Sequence, residues 1–211
     1  MEELMQEDTL KQFLPATESW FRKTFGEPTK IQREAWPAIA DGKHVLVSAP
    51  TGTGKTLSAF LVFIDQLGGL AERGELKEEL YVIYVSPLKS LAGDIRENLR
   101  KPLEGIGAEA PGESKAESRP GNPSIGQIQA AIRTGDTPQK ERQRMVKHPP
   151  HILIITPESL YLMLTSKSGR QVLKTAKAII LDELHALIDT KRGAHLMLSV
   201  ARLDKLCGRR L

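Results

Sequence analysis

"SAPTGTGKT", Ser48 to Thr56, sets two glycines ahead of a lysine and a threonine, between an apolar run and a helix-like run. A strand, a glycine-containing turn and a helix in that order are the context of a phosphate-binding loop. Gly52 and Gly54 let the backbone curl so that successive N–H groups converge on phosphate oxygens, helped by the positive end of the following helix. Lys55 then reaches the β- and γ-phosphates, and the Thr56 hydroxyl ligates Mg²⁺. The general pattern opens on glycine, where this chain has Ala49, a small departure. The competing reading, a turn that merely joins strand to helix, is disfavoured by the context.

Such a loop needs a second, acidic partner for the metal on a neighbouring strand. "IILDELH", Ile179 to His185, provides one. The apolar residues deliver Asp182 to the strand end, where its carboxylate holds the metal shell, and Glu183 polarises the attacking water. The plainer alternative is that both acids only favour the start of the next helix.

Working outward, five short runs read as strands: "HVLVSA" (44–49), "YVIYVS" (81–86), "IQAAIR" (128–133), "HILIIT" (151–156) and "AIILDE" (178–183). They are apolar almost throughout instead of alternating, as strands buried on both faces of a parallel sheet must be. The segments between them carry helical stripes: Phe60, Leu61, Ile64 and Leu67; Leu88, Leu91, Ile95 and Leu99; Leu196, Val200 and Leu203. Thr137-Pro138 and Thr156-Pro157 each pair an N-cap residue with proline at the first helical position. Strand alternating with helix predicts an α/β fold, a mainly parallel sheet flanked by helices on both faces, which binds ligands at the carboxyl ends of its strands. Residues 1–43 precede the first strand, with two short helices separated by a Gly-Pro break. Residues 44–211 form the main lobe. The Gly-, Pro-, Ser- and Glu-rich stretch 102–126 reads as a flexible insertion.

Composition sets the outer bounds. A chain of 211 residues fits one ordinary domain, and 30 basic against 26 acidic residues is compatible with a polyanionic partner. The lone Cys207 allows no internal disulfide and no zinc set, which points to a reducing compartment. No uncharged apolar run approaches the ~18 residues of a membrane span, and the N-terminus is acidic where a secretory signal is basic. A cytoplasmic protein is expected.

Taken in order, the motifs resemble the first RecA-like lobe of superfamily 2 helicases, and more closely the large helicase-related (Lhr) family. "FGEPTKIQREAWPAIADGK" is similar to the Q-motif region, "APTGTGKT" to motif I, "SPLKSLAGDIRENL" to motif Ia, "RTGDTP" to motif Ib, "ITPESL" to the next DNA-contacting motif and "DELH" to motif II. The Lhr likeness rests on "HPPHILIITPESLYLML" and "KRGAHLMLSVARL".

The resemblance implies a RecA-like P-loop NTPase fold and an ATP site built from Phe25, Thr29, Gln32, Thr51, Gly52, Thr53, Gly54, Lys55 and Thr56. The Gln32 amide has the donor and acceptor to pair with adenine N6 and N7, as glutamine does with adenine in DNA. A solvent-facing helical glutamine is the blander reading. Phe25 is a ring for stacking on the base, although Trp20 or Phe21 would serve equally and core packing accounts for all three. Lys55, Asp182, Glu183 and His185 form the catalytic set, with Thr56 and Asp182 on Mg²⁺ and His185 coupling nucleotide state to the next motif. Ser86, Pro87, Lys89, Thr134, Gly135, Thr156, Pro157 and Ser159 line a path for one nucleic-acid strand through contacts to phosphate that ignore sequence. These serines and threonines are also ordinary helix caps. The basic segment "QKERQRMVK" (139–147) reads as a solvated helical face. Arg192 and His195 follow the family pattern without an assigned chemistry.

The family also has a second RecA-like lobe, with an arginine finger worth about 10³ to 10⁵ in rate. The chain ends at Leu211 with no candidate for it. The expectation is therefore a lobe that binds ATP and hydrolyses it poorly, from an ATP-dependent translocase on DNA whose 3′ to 5′ polarity the family alone implies. The alternatives are an RNA substrate, an ATP-dependent nucleic-acid-binding switch without turnover, and an unrelated P-loop kinase or GTPase.

Overall fold

A computed structural model describes residues 8–50, 54–87, 91–109 and 127–211, with the backbone alone over 91–97. The chain divides into two compact units, Met1–Leu76 with Asn98–Gln127 and Lys77–Glu97 with Ile128–Leu211.

In the first unit, α1 (Pro15–Phe25) and α2 (Lys30–Ala40) are the two short helices expected before residue 43, and α3 (Lys55–Glu72) follows the glycine-rich loop. Gly26 ends α1 in a positive-φ conformation (φ 75°), and Thr29 starts α2 with a reciprocal capping box. The core is aromatic. Phe13, Phe21 and Trp36 pack edge to face, and the Trp36 indole donates to the Ser58 carbonyl (3.1 Å), tying α2 to α3. Phe60, Leu61, Ile64 and Leu67 are all buried, as their helical spacing requires.

Two expectations fail in this unit. Residues 43–50 form no strand, and Leu46 is 84% exposed. An apolar run becomes a strand only when its N–H and C=O groups find a ladder partner, and the described residues give this run none. The start of the supposed insertion is helical instead: α4 spans Leu91–Glu109 through Pro102. Leu99 and Ile106 are buried at helical spacing, and Gly105 passes so close to the Trp20 indole that a Cβ would lie 2.1 Å from its Nε1. Glu109 closes the contact by accepting from Ser19 Oγ (2.9 Å) and pairing with Lys23 (2.6 Å). Proline and glycine mask this stripe in the sequence. Residues 110–126 lie outside the described residues.

The second unit is built on four parallel strands, β1 (Val82–Val85), β2 (Ala130–Arg133), β3 (Ile152–Ile155) and β4 (Ala178–Leu181), in the order β2-β3-β1-β4. Among the described residues four strands stand where five were expected. The helices of this unit are α5 (Gln139–Lys147), α6 (Pro157–Thr165), α7 (Lys167–Leu173) and α8 (Lys191–Cys207). On one face Ile83, Val85, Leu153 and Ile155 pack against Leu160, Met163, Leu173, Leu196 and Leu203. On the other, Val82, Tyr84, Ile152 and Ile154 are equally buried, which explains why these strands do not alternate. Thr156 caps α6 with Pro157 at its first position, as expected. At α5 the cap shifts by one: Pro138 stands at N-cap, and the Thr137 hydroxyl instead accepts from Thr134 N (2.9 Å), closing the preceding turn.

Candidate functional site

The sheet register decides where the chemistry lies. Arg133, Ile155, Val85 and Leu181 are partners at the last position of their strands. The next residues, Thr134, Thr156, Ser86 and Asp182, therefore stand in one row across the carboxyl edge, about 14 Å long at the usual strand spacing. Backbone bonds from Ser86 N to Ile155 O (3.1 Å) and from Asp182 N to Val85 O (3.0 Å) extend the ladder into this row. One residue from each predicted motif Ib, TPESL, Ia and II is thereby brought to one edge.

At the motif II end the Asp182 carboxylate is held twice. Its Oδ1 accepts from Glu183 N (2.9 Å), and its Oδ2 accepts from the Tyr84 hydroxyl. Glu183 takes a left-handed backbone (φ 51°), the single non-glycine residue with positive φ among those described. Its side chain turns to His185, Oε2 to Nε2 3.1 Å, and the histidine is largely exposed.

Towards the other end of the row, Thr134 Oγ accepts from Asp136 N (3.2 Å), and Gly135 is exposed. Arg142, placed by sequence on a solvated face, folds back over this loop and donates to Thr137 O and Gly135 O, both at 2.7 Å. Burial, with Arg142 nearby, pushes the Arg133 guanidinium below its ordinary pKa. Two cations thus face this end of the row. Thr156, Ser159 and Ser86 are buried, and Thr156 and Ser159 bond to each other (3.0 Å), so their hydroxyls serve as the α6 cap. Ser86 Oγ has no hydrogen-bond partner among the described residues. Pro87 follows it, and Lys89 lies outside the described residues.

The glycine-rich loop belongs to the other unit. Thr51, Gly52 and Thr53 lie outside the described residues. Gly54 has φ 83°, and the Lys55 ammonium donates to the Ala49 carbonyl, drawing the loop's two ends together. Thr56 lies in the first turn of α3, whose N-cap residue Gly54 makes no side-chain cap hydrogen bond. Gln32 is buried. Its Oε1 accepts from Thr29 N (2.9 Å), while its Nε2 lies against Gly54. The amide therefore links the α2 cap to Gly54 of the glycine-rich loop, a placement the sequence did not reveal. Among the three rings, Trp20 and Phe21 are core residues and Phe25 is 53% exposed, so only Phe25 offers a face to a base.

Arg192 and His195 gain partners. Arg192 at the start of α8 grips Glu158 at the start of α6 with two bonds, and one turn on His195 packs on Tyr161 (4.6 Å between ring centres). The pair holds the Glu158 carboxyl below its ordinary pKa. Tyr84 is a further residue sequence reasoning missed. A phenol within an apolar strand needs a partner for its hydroxyl, and that was the available signal.

The donor set fits magnesium, a hard cation held through one or two carboxylates, a hydroxyl and phosphate oxygens. Within the second unit, Asp182 supplies a carboxylate of that kind. Asp182 keeps lone pairs beyond the two bonds it accepts.

The model of the DEAD/DEAH box helicase family matches residues 29–210. The chain is 48% identical over 194 residues to an ATP-dependent helicase Lhr-Core of Methanothermobacter thermautotrophicus, covering 92% of this chain and 22% of that one. It is 46% identical over 200 residues to the Lhr helicase/uracil glycosylase of Escherichia coli, covering 92% of this chain and 12% of that one. Among solved structures, Mycobacterium smegmatis helicase Lhr bound to ssDNA and AMP-PNP superposes with a TM-score of 0.83 at 46% identity, over 96% of this chain and 24% of that one. The DEAD-box helicase Mss116 bound to ssRNA matches at a TM-score of 0.74 and 20% identity, over 97% of this chain and 38% of that one, a likeness of fold alone. The expected RecA-like architecture is therefore found, and the chain spans less than a quarter of the length of each Lhr relative.

Proposed function

Because the chain belongs to the DEAD/DEAH box helicase family, we propose that it is the ATP-binding lobe of an Lhr-like helicase that couples ATP hydrolysis to movement along DNA and its unwinding. The row Thr134, Thr156, Ser86 and Asp182 carries this reading, because it puts three strand-path motifs and the acidic hydrolysis motif on one sheet edge. Single-stranded DNA is preferred to RNA because the Lhr structure at 46% identity is bound to ssDNA.

In this reading Lys55 and the loop from Thr51 to Gly54 bind the phosphates. Thr56 and Asp182 hold Mg²⁺, which when bound offsets charge on the phosphate oxygens. Glu183 takes the proton of the attacking water, and His185 holds Glu183 in place. Phe25 stacks on the base, and Gln32 reads it while fixing the loop. Arg133 and the Arg142-clamped turn draw the phosphodiester backbone to Thr134 and Gly135. A second RecA-like lobe of the same polypeptide supplies the arginine finger and the other wall of the strand path. Residues 1–43 and 44–211 act together as one lobe in a cytoplasmic protein. Among the described residues no helix is long and apolar enough to cross a membrane.

Calorimetric titration with Mg-ATP and Mg-GTP tests this, beside Lys55→Ala and Gln32→Ala. ATP binding that is lost in Lys55→Ala, and GTP binding at least about tenfold weaker, is expected. Equal affinity for both nucleotides would sink the base-reading role of Gln32. A two-lobe protein with no ATPase stimulated by ssDNA would sink the helicase reading.

A further inference from the structure

We propose that Tyr84 is a positioning residue for the metal-binding carboxylate of Asp182. The inference rests on the reading above, in which Asp182 holds Mg²⁺. Tyr84 lies on β1, in register with Ile180 of β4, two residues before Asp182. Its ring is 1% exposed and its hydroxyl donates to Asp182 Oδ2. Glu183 N–H donates to the other oxygen, Oδ1 (2.9 Å).

A carboxylate at a strand end can turn about its last two torsions. Here one donor comes from the adjacent backbone and the other from a rigid ring anchored in the neighbouring strand, so both oxygens are fixed. Each keeps a lone pair for a cation. Ordering of this kind is the usual task of groups behind a metal ligand, and removing them typically costs 10–100-fold in metal affinity. The unbroken strand around Tyr84 makes the arrangement stiff: Val82, Ile83 and Val85 are all buried.

Tyr84→Phe removes one oxygen and keeps the ring. In the 211-residue chain, ATP binding is titrated against Mg²⁺, and Mn²⁺ binding in the presence of ATP is followed by electron paramagnetic resonance. Tyr84→Phe should need at least about tenfold more of either metal, with ATP affinity in EDTA and the near-ultraviolet signature of the fold unchanged. Tyr84→Leu, a second way to remove the hydroxyl, should shift the metal curve in the same direction. Should Asp182→Asn lose the metal dependence while Tyr84→Phe keeps the wild-type curve, the hydroxyl only satisfies its own hydrogen bond and the inference is overturned. If Asp182→Asn itself keeps the metal dependence, the assignment of Asp182 fails and the role of Tyr84 goes with it.

Discussion

The side-chain amide of Gln32 lies against Gly54, so close that a Cβ added to the glycine would sit 2.8 Å from Gln32 Nε2. One residue from the Q-motif-like segment and one from the glycine-rich loop thereby share a single contact. Gly54 is required twice, by this approach and by its φ of 83°.

Gly54→Ala should lower stability by about 1–2 kcal/mol, the cost of placing an L-residue in the left-handed region, and weaken ATP binding with it. Urea unfolding and an ATP titration measure the two effects. Adding Gln32→Ala should recover only the part due to the contact, because the backbone conformation is unchanged. Full recovery would show that the φ requirement is unimportant.

Glu183 holds a left-handed conformation that favours glycine (φ 51°). Glu183→Ala and Glu183→Gly both remove the carboxylate, and only the second relieves the backbone. Glu183→Gly should be the more stable of the two by about 1 kcal/mol in denaturant unfolding. Both should leave ATP bound and, in a protein with both lobes, abolish its hydrolysis. Equal stability of the pair would contradict the strain.

His151 stands at the start of β3 and accepts the Gln129 N–H at its Nδ1 (2.8 Å), a bond that only the neutral ring with Nδ1 unprotonated can make. Burial lowers its pKa below the ordinary 6.5. The unfolded chain then takes up the proton first as pH falls. This contribution to stability is full above about pH 6.5 and is lost as pH drops through the folded value. The thermal midpoint should be flat above pH 7 and fall below pH 6.5, and His151→Gln should flatten that part of the curve. An identical slope in the variant would remove His151 as its cause.

Glu158 and Arg192 join the starts of α6 and α8, yet both are partly exposed. Their coupling in a double-mutant cycle of Glu158→Gln and Arg192→Ala should be about 0.2–1 kcal/mol. Since the glutamate pKa is lowered, chiefly by its hydrogen bond to Arg192, the coupling is present above the ordinary carboxylate value of 4.5 and disappears as pH falls through the folded value. Strict additivity at pH 7 would show that the pair is only a contact.

Local patterns were read correctly in most places where the physics is local, the one-residue shift of the α5 cap to Pro138 being an exception. The Thr156-Pro157 start of α6, the stripes on α3 and α8 and the fully buried, non-alternating β1 and β3 depend on neighbours within a few turns, whereas β2 and β4 are only partly buried. Where a partner lies far along the chain, the reading failed. The run 44–49 has strand composition and no ladder. Residues 102–109 look like a linker and are helical, because Gly105 admits Trp20 from 85 positions away.

The sequence by itself determined the glycine-rich run ahead of α3, the acidic pair after β4 and the alternation that makes a parallel sheet, since each is a matter of residue type at short spacing. Only the tertiary structure decided which of three aromatic rings is exposed, that Gln32 meets Gly54, and that Tyr84 and Glu183 N–H hold Asp182 between them. It also decided that Thr134, Thr156, Ser86 and Asp182 stand in one row. Register between strands separated by dozens of residues is set by packing of whole faces, and no local pattern encodes it.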